Sequence, residues 1–174
     1  EKNYGQSIAL AAGIDHAKGD FIVTLDGDLQ NDPNDIPMML EKAKNEDWDL
    51  VAGIRDNRKD SLLKIIPSKI ANYIRGKILN DNCKDTGCSL KIFDKNIFLE
   101  FPFFNGIHRF LPALFIGFGY NTKFISVNHR RRKFGVSKYG TFKRLFNGIF
   151  DIFKVKTIIK NRKVIDDWIF YFFI

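Results

Sequence analysis

Asp26 and Asp28, one glycine apart, follow a short apolar run at 21–25 (FIVTL) and lead into Leu29-Gln30-Asn31-Asp32-Pro33. Paired carboxylates of this kind are hard oxygen ligands suited to Mg2+ or Mn2+, and those ions complete their shells with substrate phosphate oxygens. A diphosphate-bearing ligand is the matching partner. The competing reading is a plain turn, because Asp and Gly both favour turns. Arg55 follows a second apolar run at 49–54 (DLVAGI), where its forked donors suit phosphate; a solvated surface arginine is the alternative. Asp85 opens the turn Asp85-Thr86-Gly87, and Lys64 and Ser68 lie four apart on one helical face. Arg130, Arg131, Arg132 and Lys138 concentrate positive charge late in the chain. His16, His108 and His129 are scattered without metal-ligand spacing.

Elements that position these groups can be read from the pattern. Residues 7–18 (SIALAAGIDHAK) are Ala-rich and helix-compatible, with Gly19 suited to a C-terminal cap. The run 21–25 has the character of a buried strand. Residues 35–45 (DIPMMLEKAKN) form an amphipathic helical pattern with Pro37 in its first turn, and 49–54 reads as a second buried strand. Strand, helix, strand predicts a right-handed βαβ unit and a mainly parallel sheet within one α/β domain. Ligands bind at the carboxyl ends of strands in such sheets, which is where Asp26 and Asp28 fall. Residues 62–79 give a long helical pattern interrupted near Pro67. Residues 89–93 (SLKIF) alternate as a strand, and 123–127 (KFISV) reads as another. Apolar pieces at 97–104 and 110–118 flank His108 and Arg109.

The 174 residues are 45% hydrophobic and 28% charged, which excludes a disordered chain and suits one domain with a sizeable core. No run of about 18 uncharged apolar residues occurs, so no complete transmembrane helix is present. Two cysteines, Cys83 and Cys88, are too few and too close for a disulfide scaffold or a zinc site of Cys pairs, and they suit a reducing compartment. The net charge of +8 is unevenly spread. Residues 1–122 carry 15 basic and 17 acidic side chains, whereas residues 123–163 carry 13 basic and one acidic. A segment this basic expects phosphates: nucleic acid, an anionic membrane surface or a phosphorylated substrate.

The segment 21–33 (FIVTLDGDLQNDP) resembles the metal-binding stretch of family 2 glycosyltransferases. It is closer still to the polyprenyl-phosphate subgroup, which includes dolichol-phosphate mannosyltransferase and bacterial undecaprenyl-phosphate sugar transferases. Further matches follow in the family's order: Asn3-Tyr4-Gly5-Gln6 through Ala11-Ala12-Gly13, Val51-Ala52-Gly53-Ile54-Arg55, Asp85-Thr86-Gly87-Cys88-Ser89-Leu90-Lys91, and Arg132-Lys133-Phe134-Gly135-Val136-Ser137-Lys138-Tyr139. The resemblance spans roughly residues 1–160. It implies a GT-A fold and inverting transfer of a sugar from a nucleotide diphosphate donor, GDP-mannose or a UDP-sugar, to a polyprenyl phosphate. On this reading Asp28 is the first metal ligand, Asp26 contacts the metal or the donor ribose and sugar, and Gln30 adds an oxygen. Arg55, Arg132 and Lys138 grip phosphate, and Lys64 and Ser68 touch the acceptor phosphate. Asp85 acts near the attacking acceptor oxygen as base or positioner. A phosphate acceptor is already mostly ionised near neutral pH, so positioning and electrostatics outweigh strong base catalysis. His108 and Arg109 either border the acceptor groove or serve the structure.

Residues 141–161 (TFKRLFNGIFDIFKVKTIIKN) set Phe142, Phe146, Ile149, Phe150 and Phe153 among Lys143, Arg144, Lys154 and Lys156. This is the composition of a basic amphipathic helix in a membrane interface; a Phe-rich helix packed on the core is the alternative. The expected layout is a catalytic domain over 1–140 lacking its first strands and a membrane-proximal segment over 141–174. Its expected place is the cytoplasmic face of a membrane, peripheral or anchored by a further C-terminal segment. Both ends read as cut, since the chain starts at Glu1 and stops within the apolar run 168–174. A haloacid-dehalogenase-type phosphatase also uses a D-x-D after a buried strand, but it usually has Thr or Val where this chain has Gln30. A basic nucleic-acid- or membrane-binding module without catalysis would have no use for the acidic loop, and no nucleic-acid partner is expected.

Overall fold

The computed structural model describes residues 2–55, 62–130 and 148–162, the side chains of 62–68 aside. The helix α1 (Gln6–His16) leads to strand β1 (Phe21–Thr24), and α2 (Ile36–Asn45) leads to β2 (Leu50–Arg55). After α3 (Leu62–Leu79) come β3 (Lys91–Asp94), α4 (Lys95–Glu100), α5 (Leu111–Gly117) and β4 (Thr122–Val127). Residues 148–162 are helical. The expected helices and strands are thus present, with ends shifted by one or two residues. One difference is α3, which continues through Pro67 without a break. Proline there removes one backbone donor close to the helix start, and the following turns hold the course.

Among the described residues four strands form one sheet, ordered β1-β3-β2-β4. β2 and β4 are parallel, whereas β3 runs antiparallel to both of its neighbours, β1 and β2. Three strands therefore point one way, and β1 and β2 are parallel without touching. The apolar run of β3 does not encode its direction. Its central place follows from Ile92 and Phe93, both fully buried, one against each face of the sheet.

Helices cover both faces, which is why the strands read as continuous apolar runs. On one face Leu50, Ala52 and Phe93 pack with residues of α4 and α5, and with Ile152 and Val155 of the helix at 148–162. On the other, Val51, Ile92 and Val127 pack against Met39 and Ala43 of α2. Phe101, which follows α4, meets Phe115 of α5 edge to face at 5.1 Å. Among the described residues no helix is long and apolar enough to cross a membrane.

Candidate active site

The carboxyl ends of β1 and β2 form one edge of the sheet, and the antiparallel β3 begins there. Register sets Lys91, the first residue of β3, opposite Thr24 of β1 and Ala52 of β2. A cleft of about 200 Å3 opens at this edge, lined among others by Gln6, Asp26, Lys91, His108 and Arg109.

The acidic loop leaves β1 here. The backbone N–H of Asp26 donates to Ser89 Oγ at 3.0 Å, and Gln6 Nε2 donates to Asp26 Oδ1 at 3.3 Å. Ser89 Oγ in turn donates to Asn31 Oδ1 at 2.7 Å, and Thr24 Oγ1 donates to the Ser89 carbonyl at 2.8 Å. Ser89 thus ties both ends of the loop to the segment entering β3. Asp28 Oδ1 accepts from Gln30 N at 3.1 Å, an Asx turn. Gln30 Nε2 donates to the Arg130 carbonyl at 3.4 Å, and Arg130 N donates to the Gln30 carbonyl at 2.8 Å. Leu29 holds φ +63° while 59% exposed, a strained backbone for a bulky residue and of a kind that clusters at ligand sites. The Asn34 N–H, followed by the Arg130 guanidinium, holds the Asp32 carboxyl below the usual range. Arg130, first of the basic run, therefore clamps the loop through Asp32 at 2.5 Å.

Arg55 and Asp85, two candidates drawn from distant parts of the sequence, meet as a pair. Arg55 Nε and Nη2 donate to Asp85 Oδ2 and Oδ1, both at 2.7 Å, and the Arg55 backbone N–H adds 3.2 Å to Oδ2. The two side chains are only 13% and 7% exposed. Gly87 explains itself here: a Cβ on it would stand 2.7 Å from Arg55 Nη2. Gly53 likewise admits close approach, since a Cβ there would meet Val127 Cγ2 at 2.8 Å. Upstream, buried Arg75 of α3 pairs with buried Asp81, and its Nη2 donates to the Cys83 carbonyl at 2.6 Å. This pins the loop that delivers Asp85.

Lys91, Ser89, Asn31 and Ser7 were not singled out by sequence reasoning. Lys91 is 3% exposed, and burial pushes its ammonium below the usual lysine range, against the opposing pull of Asp85 and Asp26 among others. Its one hydrogen bond among the described residues goes to the Cys88 carbonyl. A lysine inside the buried run Leu90-Lys91-Ile92-Phe93 was the available signal, because a charge in a central strand is costly without a use. Ser7 and Asn31 carried no such signal. Arg109 Nη2 donates to Asp151 Oδ2 at 2.6 Å, joining the cleft wall to the helix at 148–162. Burial raises the Cys83 and Cys88 thiols, both of which are free.

Asp26, Asp28, Gln30, Arg55 and Asp85 thus gather around one edge. Arg132 and Lys138, and the side chains of Lys64 and Ser68, lie outside the described residues. Among the described residues no group of three or more His, Cys, Asp or Glu side chains forms a metal cage. Two half-buried carboxylates on one loop do match the donor set by which Mg2+ or Mn2+ is held jointly with substrate phosphates.

The model of glycosyl transferase family 2 matches residues 1–103, so the chain belongs to that family. Curated relatives include a dodecaprenyl-phosphate galacturonate synthase of Rhizobium johnstonii, 44% identical over 93% of this chain and 48% of that protein. Undecaprenyl-phosphate 4-deoxy-4-formamido-L-arabinose transferases of Shewanella sediminis and Salmonella paratyphi B are 39% identical over 87% of this chain and 45% and 46% of theirs. The chain spans about half the length of these relatives. The fold is that of glucosyl-3-phosphoglycerate synthase from Mycobacterium tuberculosis, with a TM-score of 0.62 at 13% identity over 87% of this chain and 56% of that one. A second structure of that enzyme, in complex with Mn2+, uridine-diphosphate-glucose and glycerol 3-phosphate, aligns with a TM-score of 0.61. These likenesses fix the α/β fold as GT-A type, and the family displaces the phosphatase alternative.

Proposed function

We propose that the whole protein transfers a sugar from a nucleotide diphosphate sugar, a GDP-mannose or UDP-sugar, to a polyprenyl phosphate, with inversion at the anomeric carbon. The observation that carries this is charge arrangement: Asp26 of the acidic loop and the buried Lys91 line one cleft at the ligand edge of the sheet. The relatives named for dodecaprenyl and undecaprenyl phosphate, at 39–44% identity, support the acceptor class.

An acceptor phosphate oxygen attacks the anomeric carbon while the bond from that carbon to the diphosphate breaks. Asp28 and Asp26, with Gln30, would hold Mg2+ or Mn2+, which when bound stabilises charge on the leaving diphosphate. Lys91, with most of its donors uncommitted, offers an ammonium to a phosphate oxygen, and the arriving anion relieves its burial cost. Arg55 and Asp85 hold each other, so Asp85 acts as a positioner at the cleft with the guanidinium fixed beside it. Arg132, Lys138, Lys64 and Ser68 are proposed phosphate contacts on the strength of the sequence motifs alone.

Seating on an anionic membrane surface, at its cytoplasmic face, is part of the same proposal. It is supported by the helix at 148–162, where Ile152 and Val155 are buried while Ile149, Phe150 and Phe153 are 46%, 74% and 56% exposed. Lys154, Lys156 and Lys160 are exposed on the same helix.

The test is a panel of radiolabelled nucleotide sugars offered to membranes carrying the full-length protein, with and without chelator. Label should enter the lipid fraction for one donor and fall to background with EDTA and with Asp28→Ala. Unchanged lipid labelling in Asp28→Ala overturns the metal assignment, and labelling of no lipid by any donor overturns the reading.

A further inference from the structure

Ser7 sits in the first turn of α1, 1% exposed, and reaches across to the segment before α5. Its Oγ accepts from the Gly106 backbone N–H at 2.8 Å, where Gly106 adopts φ +101°. The same Oγ lies 3.0 Å from His108 Nδ1. A serine hydroxyl has one proton to give. Water does not reach this one, and His108 Nδ1 is its only acceptor among the described residues. The proton must therefore point at Nδ1, which accepts it with a lone pair. A hydrogen on Nδ1 would instead leave the buried hydroxyl without an acceptor, a cost that buried polar groups avoid.

We propose that Ser7 is a positioning residue that fixes His108 as its Nε2–H tautomer. His108 lines the cleft and Ser7 does not, so Nε2 is the edge that the ring brings to the substrate. A neutral imidazole held in this way is a directional donor, and Lys91 and Arg109 on the same cleft make a phosphate oxygen its acceptor. Such a donor adds orientation without adding a net charge that must be desolvated each time the cleft fills. The role rests on the transferase reading for its substrate; the tautomer stands on geometry alone.

Two measurements on the full-length protein test it. In long-range 15N–1H spectra of the wild type, His108 should show an unprotonated Nδ1 and a protonated Nε2, and Ser7→Ala should shift it towards a mixture. A protonated Nδ1 in the wild type overturns the proposal whether or not the protein transfers sugar. For activity, His108→Ala should lower kcat/KM about 10- to 100-fold, the worth of one hydrogen bond to an ionised oxygen, and Ser7→Ala about tenfold. His108→Gln, whose amide supplies a donor at the Nε2 position with no tautomer to set, should recover part of the His108→Ala loss. In that background Ser7→Ala should cost less than twofold. An undiminished cost there means that Ser7 serves only to hold Gly106, and overturns the positioning role; loss of all transfer in the wild type overturns the functional reading and leaves the spectrum to decide the tautomer.

Discussion

Two groups of residues at the ligand edge of the sheet are built differently. The acidic loop after β1 is half-exposed, carries a strained Leu29, and leans on neighbours through backbone amides, Ser89 and the Arg130 clamp. The second group, Arg55, Asp85, Arg75, Asp81 and the cleft-lining Lys91, is largely buried and cross-linked by ion pairs and carbonyl contacts. The difference teaches a division of labour. The second group is assembled by folding, so its ion pairs bear first on stability. On the proposed function the loop carboxylates meet the metal and donor, so its residues bear on turnover.

Removing one carboxylate from each group separates their roles. Asp28→Ala should cut lipid-linked sugar formation by about 100-fold or more, the scale for removing a group that supports transition-state charge, while the denaturation midpoint stays put. Asp81→Ala should do the reverse first: an uncompensated Arg75 is left buried, destabilising the fold by about 3–5 kcal/mol in urea titrations. If both substitutions shift the midpoint alike, the division fails. Gly87→Ala tests the packing against the Arg55–Asp85 pair. Its methyl would push against the Arg55 guanidinium, at a cost of about 1–3 kcal/mol by overpacking, with transfer reduced as Asp85 loses its bidentate partner.

Two smaller effects sharpen the picture. Burial lowers the Lys91 ammonium in the folded state, so between that lowered value and the ordinary lysine range the unfolded chain holds more protons. Raising pH through this window therefore favours the fold. The advantage is absent from Lys91→Met, so the stability difference between wild type and variant should move in the wild type's favour as pH rises; movement the other way would contradict a destabilised ammonium. Leu29→Gly should relieve the left-handed backbone and leave the midpoint the same or higher by no more than about 1 kcal/mol.

Much of this was legible from residue order. Apolar runs bounded by turn formers located β1, β2 and β4, and Asp26, Asp28, Arg55 and Asp85 were picked out by type and place. What escaped was relation. The direction of β3 cannot be read from Leu90-Lys91-Ile92-Phe93, because a strand buried on both faces looks alike either way round. Arg55 and Asp85 were given separate duties, since 30 positions of chain hide a 2.7 Å contact. Ser7 was invisible because one serine in an Ala-rich helix start has no pattern; only Gly106 and His108, about a hundred residues on, give it meaning.

The reversed β3 has a consequence for how such a protein can diversify. The loop after β1 leaves the ligand edge and leads into α2, so a residue added to it does not shift the register of β1 against β3. The stretch from Asp81 to Lys91 arrives at that edge and is held at both ends, by Arg75 at one and by register with Thr24 and Ala52 at the other. One residue more between Ser89 and Lys91 would turn the lysine to the opposite face of the sheet. New substrate preferences are therefore open to insertions in the departing loop after β1, whereas the arriving segment can vary in composition but not in length.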